Sequence, residues 1–235
     1  MNRGRFINLL MALVVLWLLY QGASWLKLQR DHQRSREIYR ELQVEASLQP
    51  GAERSILPLQ GEVGDLVAWM ASDSRRIDHP LVRGSDNETY LHRGANGEQN
   101  SLGAIFVDYR NGSLLDPAVF IYGHMMKDDA MFGPLKDFKE PEQAENFTFW
   151  TEEQSFHATT KMVSIIPGET TVDPRDYGSL EKKQELYQFL RDHALYELGE
   201  APGPEEPWII LITCTYEWEN ARLAVLTVRE EPEGP

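Results

Sequence analysis

The sequence has a single cysteine, Cys214, in 235 residues. One cysteine excludes an intramolecular disulfide framework, and the length suffices for one sizeable domain with accessory segments. A free cysteine is most often a small, buried and unreactive core residue. Cys214 ends the apolar run "PWIILITC" and precedes a polar stretch. This place at the end of a predicted strand allows a second interpretation, in which Cys214 is a nucleophile.

Positive charge is also scarce, since the formal net charge is −14. Beyond residue 40 the chain carries 16 Lys and Arg against 35 Asp and Glu, whereas residues 1–40 carry seven against two. Phosphate contacts need clustered cations, so an acidic body of this kind predicts no nucleic-acid partner.

Charge is absent altogether from residues 6–26, "FINLLMALVVLWLLYQGASWL". A helix of this length rises roughly 30 Å, which matches the apolar thickness of a bilayer. Arg3 and Arg5 precede it and favour a cytoplasmic N-terminus, although five cations between Lys27 and Arg40 weaken that preference. The alternative is a cleaved signal peptide, but the apolar stretch is long and "QGASW" is a mediocre cleavage site. We expect an uncleaved, single-pass anchor with the rest of the chain outside the cell.

The remainder is predicted to be mostly β. The pattern predicts a juxtamembrane helix over residues 28–48, a linker over 52–61 and a short helix over 63–70. Two further helical stretches are predicted at 130–138 and 179–198. The strand candidates are residues 77–82, 89–92, 104–108, 118–122, 147–151, 155–166, 208–213 and 221–228.

Many short strands with few helices indicate a closed barrel or a sandwich. The expected domain limits are 1–26 for the cytoplasmic stub and anchor, 27–60 for the juxtamembrane helix and linker, 61–230 for the main domain, and 231–235 for a disordered tail.

Cys214 and Arg222 belong to two strand candidates, 208–213 and 221–228, that a short polar loop joins. If these strands pair as an antiparallel hairpin, Cys214 and Arg222 lie at the same end of the sheet. The cation could then favour a thiolate or bind a developing oxyanion. The spacing alone is weak evidence, because hairpins that contain an arginine are common.

A cysteine nucleophile also needs a proton carrier, usually histidine. Among six histidines, His124 follows an apolar strand and a glycine in "AVFIYGHMMKDDAMFG", which places it at a strand end. This local pattern favours His124 over His92 and His157 and leaves those two open.

Four segments, in the same order, resemble those of class B sortases: "IDHPLVRGSDNETYLHRG", "NSLGAIFVDYRN", "AVFIYGHMMKDDAMFGPL" and "LITCTYEWENAR". The resemblance covers roughly residues 60–230. It implies an eight-stranded β-barrel with peripheral helices. It also implies that Cys214 is the nucleophile, His124 the acid and base, and Arg222 the stabiliser of the substrate carbonyl and oxyanion.

The sequence departs from the family pattern at Ile210 and Ile212, where a threonine and a serine are usual, and at Met125, where an asparagine often follows the histidine. These departures affect polar neighbours of the site and leave the three principal residues intact.

The resemblance implies a membrane-anchored transpeptidase of Gram-positive cell surfaces that needs no cofactor and no metal. Its partners would be secreted proteins bearing a C-terminal sorting motif and an amine of a peptidoglycan precursor. The alternatives are an enzyme that polymerises pilins through a lysine and an inactive membrane-tethered module. A papain-like protease is disfavoured, because its cysteine precedes its histidine and opens a helix.

Overall fold

The computed structural model of the chain describes residues 3–47, 56, 59, 61 and 63–230. Its α-helices are α1 (Arg3–Ser47) and α2 (Leu180–Asp192). Its strands are β1 (Leu66–Ser72), β2 (Asp78–Val82), β3 (Ile105–Val107), β4 (Ala118–Tyr122), β5 (Phe147–Trp150), β6 (Ser155–Pro167), β7 (Ala194–Glu197), β8 (Trp208–Cys214) and β9 (Ala221–Arg229). Short 3-10 helices cover Thr89–Leu91, Gly133–Lys139, Pro141–Gln143 and Pro174–Gly178.

Eight of the strands close into a barrel in the order β5-β1-β2-β3-β4-β8-β9-β6, and the pairing of β5 with β6 completes the ring. The pairs β2–β3 and β4–β8 are parallel, and the other neighbours are antiparallel. The ninth strand, β7, pairs with the C-terminal half of β6. This confirms the predicted fold class, an eight-stranded barrel with peripheral helices.

The barrel has the predicted number of strands only because one predicted strand is absent and one strand that was not predicted is present. The predicted strand at residues 89–92 is wrong, because Thr89–Leu91 forms a 3-10 helix. The Asp86 carboxylate accepts the backbone N–H groups of Glu88 and Thr89 at 2.9 and 2.7 Å. Such a local side-chain acceptor winds the chain into a turn.

The predicted helix at residues 63–70 is wrong as well, because that segment supplies most of β1. β1 pairs with β2 on one side and with β5 on the other, so its backbone groups are satisfied by neighbours remote in sequence. Tertiary pairing overrides local helix preference here.

The predicted helix over residues 179–198 is too long. α2 ends at Asp192, and the next residues turn at His193 into β7, which joins the free edge of β6. The predicted helix at 130–138 is a 3-10 helix, Gly133–Lys139, with a proline at its second position.

The continuous apolar runs of the sequence are explained by burial on both faces of the sheet. Alternate residues of β8 and β9 point into the barrel, such as Leu211 and Val225, or outward, such as Ile210 and Leu226. The outward residues pack under α2, whose Leu186 and Leu190 cover them. A strand buried on both faces needs no polar alternation.

α1 is one uninterrupted helix, where the sequence predicted an anchor followed by a separate juxtamembrane helix. Its C-terminal part packs on the barrel through Tyr39 and Leu42. Of the predicted linker, the structure describes Ile56 and Leu59 as buried in the barrel core. The rest of that linker up to residue 60 lies outside the described residues, as does the predicted tail at 231–235.

Asp108, which follows β3, is a fully buried carboxylate that ties several segments together. It accepts hydrogen bonds from Arg110 (2.7 to 3.0 Å), from Asn87 (2.9 Å) and from the Tyr122 hydroxyl (3.1 Å). Burial alone would raise the pKa of Asp108, but the hydrogen bonds of Arg110 and Asn87 outweigh it and hold the pKa below its usual range. Arg110 in turn approaches Asp173 at 3.7 Å.

We expect Asp108→Asn to lower the free energy of unfolding by about 3 kcal/mol at pH 7, because it leaves the Arg110 charge without its buried partner. Since the folded-state pKa of Asp108 is depressed, this stabilisation is complete above the unfolded-state pKa of about 4 and is lost as the pH falls through the folded-state pKa. Chemical unfolding of the chain in mild detergent at several pH values measures both effects.

The matched control is Glu185→Gln, which removes an exposed ion pair with Lys182. It should change the free energy of unfolding by less than about 1 kcal/mol. Equal effects of the two variants would contradict the role assigned to Asp108.

Candidate active site

Cys214 and Arg222 face each other across two neighbouring strands. Cys214 ends β8, Arg222 is the second residue of β9, and the antiparallel register pairs these two residues directly. The predicted hairpin is confirmed, and both residues lie at the same end of the barrel. Each side chain is partly exposed.

His124 reaches the same end from the other side of β8. β4 runs parallel to β8 with Tyr122 beside Ile212, and the Gly123 N–H donates to the Ile212 carbonyl at 3.3 Å. The Thr213 hydroxyl donates to the Gly123 carbonyl at 2.7 Å. Continued along this register, His124 comes next to Cys214. The strand that carries the cysteine thus lies between the strands that lead to the histidine and the arginine.

Gly123 shows why a glycine precedes the histidine. A Cβ atom at this position would lie 2.7 Å from Cδ2 of Phe132, whose ring is fully buried. The absence of a side chain lets the ring of Phe132 pack against the backbone where the strand ends. That contact holds the start of the loop that carries His124.

The ring of His124 is oriented by a backbone carbonyl. Nε2 of His124 lies 2.9 Å from the oxygen of Leu91. A carbonyl oxygen can only accept, so Nε2 carries the hydrogen and Nδ1 of the neutral ring remains as the basic nitrogen. The side chain is half-buried.

Arg222 is oriented by its own strand. Its Nη1 donates to the Ala221 carbonyl at 3.1 Å. A guanidinium has five N–H donors in a planar fork, so this contact engages one nitrogen while other donors can bind a substrate oxygen.

The other five histidines have different surroundings. His79 is buried in β2, and burial lowers its pKa to about 4. Of the two alternatives left open by the sequence, His157 is exposed on β6 and pairs with Thr148 of β5. His92 is exposed and directly follows Leu91, whose carbonyl accepts the hydrogen bond of His124. His32 lies on α1, and His193 follows α2.

The three departures from the family pattern occupy different surroundings. Ile210 is buried beneath α2, on the outward side of β8. Ile212 lies on the same side, two residues before Cys214, and remains slightly exposed at 8%. Met125 belongs to the barrel core and forms a bridge with Met131.

Sequence reasoning did not single out Leu91 or Gly103, because a backbone carbonyl and a glycine carry no chemical signature. Gly103 has φ of +62°, a conformation that favours glycine, and a Cβ atom there would lie 3.1 Å from Cδ2 of His124. Among the described residues, no group of three or more His, Cys, Asp and Glu side chains is arranged to hold a metal ion.

The loop between β8 and β9 presents exposed aromatic side chains beside Cys214. Tyr216 is 71% exposed and Trp218 is 48% exposed. Between them, Glu217 is held by Lys139 and by the Thr215 hydroxyl, which anchors the loop to the barrel.

No family model matches the chain. It is 28% identical to sortase B of Listeria monocytogenes over 169 residues, which cover 68% of each protein. The structure superposes on sortase B of Clostridium perfringens with a TM-score of 0.67 at 27% identity, covering 75% of this chain and all of the other.

Sortase B from B. anthracis shares the fold with a TM-score of 0.77 at 24% identity, covering 86% of this chain and 99% of the other. Together, the sequence likeness and the shared fold support a class B sortase.

Proposed function

We propose that this sortase transpeptidase is a membrane-anchored cysteine enzyme that cleaves a C-terminal sorting motif of secreted proteins and transfers the threonyl carbonyl to an amine of a cell-wall precursor. The observation that carries the proposal is the direct pairing of Cys214 with Arg222, together with the parallel register of β4 and β8, which leads to His124 at the same end of the barrel. Residues 61–230 would form the catalytic domain.

In the first half-reaction, the sulfur of Cys214 attacks the threonyl carbonyl carbon and the peptide C–N bond breaks. His124, as the imidazolium, gives a proton to the departing amine, so the products are a thioacyl-enzyme and a free amine. Arg222 donates hydrogen bonds to the carbonyl oxygen as it becomes negatively charged.

In the second half-reaction, an acceptor amine attacks the thioester carbon. His124 takes the proton that the amine loses, the C–S bond breaks, and Cys214 is regenerated as the new amide bond forms. Water in place of the amine would give hydrolysis, which relates the enzyme to the thiol proteases.

The membrane part of the proposal rests on α1. By length and composition, a stretch within its Leu10–Glu45 part has a mean hydropathy of 1.4, sufficient for a membrane span, and is not buried. The side chains of Trp17, Tyr20 and Trp25 are exposed and suit a bilayer interface. The barrel would then stand outside the cell, next to the membrane in which cell-wall precursors are assembled.

Two kinds of amine could accept the acyl group from the enzyme. A peptidoglycan-type amine is favoured because a related structure is sortase B complexed with triglycine, a short peptide with a free amine. The alternative is a pilin lysine, because a Streptococcus pyogenes class B sortase of similar fold is involved in pilus biogenesis. An inactive tethered module is the third alternative, and the grouping of Cys214, His124 and Arg222 argues against it.

Cys214→Ala should abolish both the cleavage of a sorting peptide and the trapping of an acyl-enzyme, because the chain has no other thiol. His124→Ala should lower kcat by roughly 10²–10⁴-fold through the loss of proton transfer. The measurement is cleavage of a fluorogenic peptide library, with hydroxylamine added to release the acyl group. His157→Ala, an exposed histidine on β6, is the control and should retain full activity. Turnover that survives Cys214→Ala would rule out the proposed chemistry.

Arg222→Ala should lower kcat by roughly 10²–10³-fold, the effect of removing an oxyanion donor. Arg222→Lys should restore little, because an ammonium cannot reproduce the planar fork. Steady-state kinetics of both variants are compared with Arg191→Lys, which changes an exposed arginine of α2. Full activity of Arg222→Lys would show that charge alone suffices.

The full chain should fractionate with membranes, whereas a truncated chain that begins at residue 27 should be soluble. The measurement is fractionation of cells followed by N-terminal sequencing. Recovery of the chain from the medium, with a new N-terminus near residue 24, would indicate a cleaved signal peptide instead.

A further inference from the structure

The C-terminal part of α1 is docked on the barrel beside the loop that follows the 3-10 helix Thr89–Leu91. Ser35 and Tyr39 are buried at 2% and 5% exposure, in contrast to the exposed apolar side chains of the N-terminal half. Asn100 donates from its side chain to the Ser35 hydroxyl at 2.5 Å. The helix that contains the candidate membrane span therefore also belongs to the packed body of the protein.

The hydroxyl group of Tyr39 is satisfied on both sides by backbone. It donates to the Gly103 carbonyl at 3.1 Å and accepts from the Ala95 N–H at 3.3 Å. The ring of Tyr39 meets His79 edge to face at 5.1 Å. Tyr39 thus joins α1 to both ends of the turn over residues 95–103.

Gly103 is in turn packed against the ring of His124. A Cβ atom on Gly103 would lie 3.1 Å from Cδ2 of His124 and 2.9 Å from the carbonyl oxygen of Leu91, which accepts the His124 Nε2 hydrogen. The Gly103 backbone, which accepts the hydrogen bond of Tyr39, therefore packs against one side of the His124 ring. It also lies next to the Leu91 carbonyl, which accepts the hydrogen bond of that ring.

α1 also contacts the chain on the far side of His124. Arg36 forms an ion pair and a hydrogen bond with Asp128, four residues after His124, and Nδ1 of His32 lies 3.7 Å from the same carboxylate. Two turns of α1 thus hold the segments both before and after the histidine.

We infer that Tyr39 is a positioning residue for His124, and that the helix carrying the candidate membrane span sets the tautomer and the orientation of that ring. The inference rests on the proposed role of His124 as the acid and base. If the Gly103 carbonyl is released, the Leu91 carbonyl and the ring can shift together, and small misplacements of a catalytic group are costly. Tyr39 then affects the chemical step rather than substrate binding.

The test compares Tyr39→Phe with Tyr196→Phe in the full chain, purified in detergent. Tyr196 is a matched control because its hydroxyl also donates to a backbone carbonyl, that of Phe138 at 2.5 Å, and because it lies on β7, which pairs with β6. One readout is the kcat and KM of sorting-peptide cleavage. The second is the ¹⁵N imidazole spectrum, with the His124 signal identified by its loss in His124→Asn.

We expect wild type and Tyr196→Phe to show the tautomer with hydrogen on Nε2, and Tyr39→Phe to show a mixture of tautomers. We also expect kcat to fall about tenfold in Tyr39→Phe, with KM unchanged within about twofold. An unchanged His124 spectrum together with an unchanged kcat in Tyr39→Phe would overturn the inference.

The spectrum separates this inference from the proposed function. A tautomer change in Tyr39→Phe, in a protein whose wild type cleaves no sorting peptide, would support positioning and refute the proposed chemistry. If Tyr39→Phe does not fold, Arg36→Gln provides the same two readouts, because Arg36 is largely exposed and its loss endangers the fold little. No change in that variant would overturn the inference.

Discussion

The structure depends on the double pairing of β8, which runs parallel to β4 on one side and antiparallel to β9 on the other. These two ladders fix the position of Cys214 by backbone hydrogen bonds and bring residues 124, 214 and 222 to one end of the barrel. Outward residues of all three strands are covered by α2 and inward residues fill the core, so the ladders are shielded from water on both faces. A site built on such strands is held by the best-protected part of the fold.

Orientation within the site comes from backbone groups rather than from further ionisable side chains. The Leu91 carbonyl accepts from His124, and the Ala221 carbonyl accepts from Arg222. A carbonyl does not titrate in the physiological range. The imidazole of His124 and the guanidinium of Arg222 therefore keep their hydrogen-bond acceptors when nearby groups change charge. The two glycines beside His124, Gly103 and Gly123, allow the backbone and a buried ring to approach closely enough for this arrangement.

Two helices cover the barrel in different ways. α2 buries the outer face of the strands that lead to the site, and it stabilises the fold by removing apolar surface from water. α1 packs Tyr39 and Leu42 into the core and adds polar contacts around the histidine loop, including those of Tyr39 and Arg36. Residue 39 lies about 20 Å along the helix axis from the end of the apolar stretch at residue 26, at about 1.5 Å per residue. If the apolar stretch spans a membrane, a continuous helix over this distance holds the barrel end that carries Cys214 at a fixed height above it.

The sequence by itself determined the apolar N-terminal helix, most strands of the barrel, and the Cys214–Arg222 hairpin, because these depend on local periodicity and on turns between adjacent strands. It also distinguished His124 by its place after a strand and a glycine. Only the tertiary structure decided that residues 63–70 form a strand and that 194–197 leave the helix for a sheet edge, since their partners are remote in sequence. The same holds for the parallel contact of β4 with β8 and for the path from Tyr39 through Gly103 to His124. Such contacts arise from packing between distant segments, on which local patterns carry no information.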